Sequence, residues 1–263
     1  MTFNIIIVAA LNFIISLIGT LAYSVRLVGV RTGKIAISLA LFNALTLISS
    51  TANVFQLPIL TKFVEQSQNS ENLAFIFYFL MFVVLLATIA GTLLIPTFQR
   101  VFSKAVESFS IEKSIFKLLL HSFSKSGVKY IKKCVAIPVK SNFTDMSFKK
   151  LPVRIFIYNV ITVALLTAGV FAPIYAGSLE PKLSATCITL SGVINGIATI
   201  LLTLFVNPYL SVLTDEVIDG KYSEADFRGC VVGMLGSKIL GTVFSFLIFI
   251  PAAHAIVFIA KII

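Results

Sequence analysis

The sequence predicts an all-α integral membrane protein with about six transmembrane helices, and three observations carry that expectation. Hydrophobic residues make up 58% of the 263 positions, and the mean hydropathy is +1.01. Charged residues make up only 12%, about half of the roughly 25% that coats an average soluble domain. Six separate stretches reach the ~20 mainly apolar residues that an α-helix needs to cross a bilayer. Soluble globular folds and intrinsic disorder are thereby excluded. Transmembrane β-strands would instead read as ~10-residue segments of alternating polarity.

The first stretch, 3–24, lacks the positively charged start of a secretory signal and is too long for its apolar region, so it reads as a retained span. Arg26, Arg31 and Lys34 follow it. The second stretch is 34–57 and the third 73–97, so residues 1–97 form one group of three helices. Residues 98–152 are a hydrophilic, basic insert. The fourth, fifth and sixth stretches, 153–178, 185–213 and 230–260, make residues 153–263 a second group of three. Two groups with an odd number of spans would point opposite ways, the inverted-repeat plan of many transporters, although residue identity between the halves is poor.

Orientation follows from Lys and Arg. The first, third and fifth connections, with their flanks, hold 17 of the 21 cations, twelve of them from Arg100 to Arg154. The opposite side has Lys62, Lys182 and Lys261. Both termini are expected outside and the insert in the cytoplasm. Most of the net charge of +10 is then positive-inside anchoring, with contact to anionic lipid headgroups as a further use. Nucleic-acid binding is not expected, because no reader motif accompanies the charge.

Within the insert, Phe98, Val101, Phe102, Ala105, Val106 and Phe109 follow helical spacing, with Arg100, Lys104 and Glu107 opposite. A second amphipathic stretch is expected after Ser110, through Ile111, Ile115, Phe116, Leu119 and Phe123. Such helices beside a membrane lie in the headgroup layer.

Residues that could carry chemistry are few. Cys134, Cys187 and Cys230 form no CxxC pair, and His121 and His254 stand far apart, so neither a metal nor a cofactor is expected. There is no P-loop, GxSxG, HExxH or GxGxxG. The sequon Asn142–Thr144 falls on the expected cytoplasmic side, where it has no use. No paired carboxylates lie within a span, which disfavours a membrane-embedded enzyme and leaves a carboxylate proton relay without a seat.

The second span is the most informative. On a wheel of 100° per residue, Thr46, Ser49, Ser50, Asn53 and Gln56 share an arc of about 120° that ends near Asn43. Amides and hydroxyls cannot face hydrocarbon cheaply, so the stripe meets other helices or a wet groove. Both readings stand, packing and path. Arg26, Arg31 and Lys34 lie near its cytoplasmic mouth, where they anchor the helix or receive a phosphate; Arg154, at the start of the fourth span, could join them. Lys238 is the one charge well inside an apolar run, and it either lines a cavity or snorkels to the interface. Gly229, Gly233, Ser237, Gly241 and Ser245 make a small-residue face on the sixth span, and Gly192 and Gly196 a shorter one on the fifth. Such faces allow close helix packing, and homo-oligomers can form through them. Pro58 and Pro208 are expected to end the second and fifth spans.

Gly19–Asn43, GTLAYSVRLVGVRTGKIAISLALFN, and Ala52–Leu60, ANVFQLPIL, resemble the Amj family of bacterial lipid II flippases, the alternates to the larger MurJ type. Chain length and six-span layout are also similar. The resemblance implies transbilayer movement of an undecaprenyl-pyrophosphate-linked peptidoglycan precursor in the bacterial cell membrane, by a transporter rather than an enzyme. Under it Arg26, Arg31 and Lys34 would capture the diphosphate, and Asn43, Ser50, Asn53 and Gln56 would line the path, with Arg154 and Lys238 as further substrate-binding candidates. The competing class is a non-transporting scaffold whose basic insert binds anionic lipid or a cell-wall enzyme.

Overall fold

A chain crossing hydrocarbon must satisfy its backbone within each segment, and helices do this. The computed structural model describes residues 3–66, 70–112, 129, 132–136 and 151–263. Among these, six helical spans are long and apolar enough to cross a membrane. They are α1 (Phe3–Thr32), α2 (Ile35–Gln66), α3 (Ser70–Glu112), α4 (Val153–Leu179), a segmented fifth span (Pro181–Ile218) and α8 (Glu224–Ile262). The fifth span joins a short 3₁₀ turn, α5 (Ser184–Thr189), α6 (Ser191–Leu201), a π segment (Leu202–Val206) and α7 (Asn207–Ile218).

The helices overrun the expected spans. The 43 residues of α3 would reach about 65 Å at 1.5 Å per residue, twice a ~30 Å hydrocarbon core. Its end is the expected amphipathic stretch 98–109, so the first part of the insert continues the third span. Val106 on its apolar face is buried against Val25, Val28 and Leu41. The expected second amphipathic stretch lies almost wholly outside the described residues, as do His121 and the sequon. The chain returns to α3 at Ala136, whose N–H donates to Thr97 Oγ1 at 3.0 Å. Neither Pro58 nor Pro208 ends its span: Pro58 lies inside α2 and Pro208 opens α7.

The bends between spans use local chemistry. Gly33 takes φ of +65°, open to glycine without a Cβ penalty, and lets α2 begin two residues after α1 ends. Ser223 caps α8 reciprocally: its hydroxyl accepts from Asp226 N–H at 3.1 Å, and the Asp226 carboxylate accepts from Ser223 N–H.

Packing follows one plan in both halves. α1 packs on α2 and α3; α4 packs on the fifth span and α8. Between the halves, α1 meets α8 as α4 meets α3, and α2 touches α4 as α7 touches α1. α3 and α8 close one side, where the Phe77 ring packs at a tilt against Phe249 and against Phe171 of α4, with centroids 5.8 and 6.0 Å away. On the other side, among the described residues, α2 and the fifth span lean on α1 and α4 rather than on each other. These two spans also bury the least of their length. α2 and the fifth span thus flank a shared floor of α1 and α4, and the gap between them is the candidate groove. The small-residue face of α8 is used within the chain: a Cβ at Gly241 would lie 2.6 Å from the Val160 carbonyl oxygen on α4.

Candidate functional site

Arg26 is the central group. Because α1 runs on to Thr32, Arg26 is not a flanking cation but lies within the bundle, 7% exposed. It spans the floor of the groove. Its guanidinium carbon sits 4.6 Å from the centroid of Phe42 on α2, and Nη2 donates to Asn207 Oδ1 at the head of α7, 3.1 Å away. Nε and Nη1 are buried without a partner, and among the described residues no carboxylate pairs with this side chain. A buried, unneutralised guanidinium with two free donors is costly unless an anion visits it.

Lys238 reaches the same face of α1. Its Nζ lies 5.9 Å from the Tyr23 centroid and 3.5 Å from where a Gly19 Cβ would stand. Gly19, Tyr23 and Arg26 are spaced i, i+4, i+7, one stripe of the helix. Lys238 is half-buried, has no ion pair among the described residues, and lies about 5–10 Å deeper than Arg26 at 1.5 Å per residue. Beside it Asn159 of α4 donates to Ser237 Oγ at 2.6 Å and Met234 O at 3.2 Å, tying α4 to α8.

The other expected cations do not join this pair. Arg31 is exposed, bridging Glu224 at 2.6 Å and Gln99 at 3.0 Å, which links α1, α3 and α8 at the bundle's edge. Lys34 is half-buried at the start of α2, and Arg154 is exposed at the start of α4. Sequence spacing grouped Arg26, Arg31 and Lys34; helix rotation separates Arg26 from Arg31, and the turn at Gly33 carries Lys34 to the start of α2.

The polar stripe on α2 divides in the same way. Gln56 is fully buried, donating to Asn12 Oδ1 on α1 at 3.1 Å, and Ser49 donates to the Ile15 carbonyl at 3.0 Å. These two are packing groups. Asn53 and Thr46 are half-buried, and Ser50 and Asn43 are exposed. Reading α2 alone hid one set of residues altogether: Ser191, Asn195, Thr199, Thr203 and Asn207 repeat every four residues on the fifth span. The repeat itself was the available signal.

Among the described residues no group of His, Cys, Asp or Glu is arranged to hold a metal, the three cysteines are free and buried, and His254 is exposed.

Comparison with known proteins agrees with this layout. The lipid II flippase Amj of Bacillus subtilis (strain 168) is 35% identical over 264 residues, covering 99% of this chain and 98% of that protein. No solved structure matches the chain. The family model for Amj, described as alternate to MurJ, matches residues 11–260, nearly the whole of both helical groups. A chain matched from the first span to the last, at this identity over its full length, belongs to the Amj family.

Proposed function

We propose that this protein is a lipid II flippase: it carries an undecaprenyl-pyrophosphate-linked peptidoglycan precursor from the inner to the outer leaflet of the bacterial cell membrane. One observation supports it above the others, the buried Arg26 with two unpartnered donors in the floor of a laterally open groove. A diphosphate is the anion that answers it, because forked guanidinium donors match phosphate oxygens. Lys238, deeper on the same α1 face, is the next cation along the route. Arg31, Lys34 and Arg154 form the cytoplasmic approach. Asn43, Ser50 and Asn53 offer hydrogen bonds to the sugar–peptide headgroup, while the polyprenyl tail stays in lipid through the opening between α2 and the fifth span. Gln56 contributes by holding α2 to α1. The positive-inside rule sets the termini outside and the insert in the cytoplasm. The work is binding and passage; no bond is made or broken.

The test is lipid II exposure at the outer face of cells that depend on this protein alone. Arg26→Ala should lower exposure roughly tenfold or more, since a lost hydrogen bond to a charged group is worth ~1.5–3 kcal/mol. Arg26→Lys should retain part of it, and both proteins should accumulate normally. Undiminished exposure in an Arg26→Ala, Lys238→Met double variant would sink the anion route. Unchanged exposure on depleting the protein would favour the scaffold reading.

A further inference from the structure

The fifth span carries a polar row of its own, Ser191, Asn195, Thr199, Thr203 and Asn207 at strict four-residue spacing. On an unbroken α-helix four-residue steps drift by about 40° each, so the row would spiral round towards lipid. The π segment Leu202–Val206 reverses that drift over the last step, from Thr203 to Asn207, because a π turn holds more residues and each advances the wheel by less. Pro208 supplies the cause: it has no amide N–H, and its ring crowds the carbonyl one turn back.

The row therefore turns outward at Thr199 and Thr203 and returns at Asn207 towards the face that packs on α4. Ala198 and Val206 on that face are buried, Asn195 and Asn207 are half-buried, and Thr199 and Thr203 are exposed. Asn195 Oδ1 is buried without a partner. The Thr199 hydroxyl donates to Asn195 O at 2.7 Å and that of Thr203 to Thr199 O, leaving both oxygens able to accept a further bond. α2 has the same design, with Thr46, Asn53 and Ser50 on the flank of its α1-packed face. The two rows converge on one cation, α2 through Phe42 and the fifth span through Asn207. α2 and the fifth span are also the counterparts in the two-half packing plan.

We propose that Thr199, Thr203 and Asn207 form the second wall of the headgroup path, across the groove from Asn43, Ser50 and Asn53, while Asn195 is held against Gly169 of α4. They hydrogen-bond the hydroxyls and amides of a glycopeptide headgroup while its diphosphate is held by Arg26 and Lys238. This rests on the flippase reading, so its test must register water and ligand independently of growth.

Single cysteines provide that test in the otherwise native chain, whose own three cysteines are buried. In native membranes, Thr199→Cys and Thr203→Cys should react with a charged, membrane-impermeant thiol reagent at least about tenfold faster than Ile200→Cys and Leu204→Cys, because a thiol must ionise to react and hydrocarbon suppresses that. Added lipid II should slow the reaction at Thr199→Cys and Thr203→Cys severalfold. Equal rates at all four positions would overturn the wall. Fast labelling that lipid II leaves unchanged would overturn the headgroup assignment. A failed flippase reading registers separately, as unchanged lipid II exposure when the parent protein is depleted.

Discussion

Arg26 and Lys238 are cations carried into an apolar bundle without a carboxylate beside either among the described residues, while Arg31 is neutralised by Glu224 at 2.6 Å. Charge that serves only orientation sits at helix ends, where water and headgroups solvate it; charge inside a span needs a partner or a visitor. The opposite end of the bundle shows the contrasting case. Lys261 on α8 bridges Glu180 at 2.8 Å, next to the end of α4. The hydrogen bond from Lys261, and then its charge, hold the Glu180 carboxyl below its ordinary 4.5. The pair's contribution is therefore complete above about pH 4.5 and lost as the pH falls through the lowered value. Glu180→Gln should reduce the acid-dependent fall of the thermal midpoint in detergent between pH 7 and pH 3, leaving a flatter profile. An unaltered profile would remove this bridge from the account of α8 docking.

Elements dock through small residues. Gly241 lets α8 approach α4 so closely that an added methyl would meet the Val160 carbonyl oxygen at 2.6 Å and Val163 Cβ at 2.8 Å. Backbone cannot give way as a side-chain tip can, so Gly241→Ala should destabilise by about 1–3 kcal/mol. Gly236, on the same helix, has nothing within 4 Å of its Cβ position, and Gly236→Ala should be neutral or slightly stabilising. Thermal midpoints of the two purified variants check the contrast; equal shifts would contradict it. Gly169 on α4 is a similar approach, with Asn195 Oδ1 2.6 Å from its Cβ position. It fixes the rotation of the fifth span and so the direction of that span's polar row.

For the whole molecule, the packing plan divides the spans by role. α3 and α8 meet through an aromatic layer in which Tyr78 stacks on Phe246 at 6.1 Å. α2 and the fifth span stand apart over the shared floor. Under the proposed function the closed side is frame and the open side is route. Tethering Ser50→Cys to Thr199→Cys with a flexible bifunctional thiol reagent should block lipid II exposure by more than about tenfold, the signature of an obstructed path. Tethering Tyr78→Cys to Phe246→Cys should leave it within about twofold, as expected of surfaces already in contact. The reverse pattern would put the route on the aromatic side.

Composition and hydropathy determined the class of fold, the number of spans and the asymmetry of charge, because bilayer thickness is read linearly along the chain. The resemblance in residues 19–60 likewise pointed to the family that the full-length comparison assigns. What lay beyond the sequence was rotation. Three cations within nine residues look like one cluster, yet at 100° per residue Arg26 and Arg31 face different neighbours, Lys34 lies past the turn at Gly33, and only Arg26 turns inward. Helix length misled for a related reason: no local signal at residue 24 says that α1 continues, since partners from α2 and α7 cover the next two turns. The row on the fifth span was legible as a repeat, but its direction depends on a π turn before Pro208 and on close packing at Gly169. Tertiary structure alone decided which polar groups share a groove, because a helix's facing is set by its neighbours and not by its own residues.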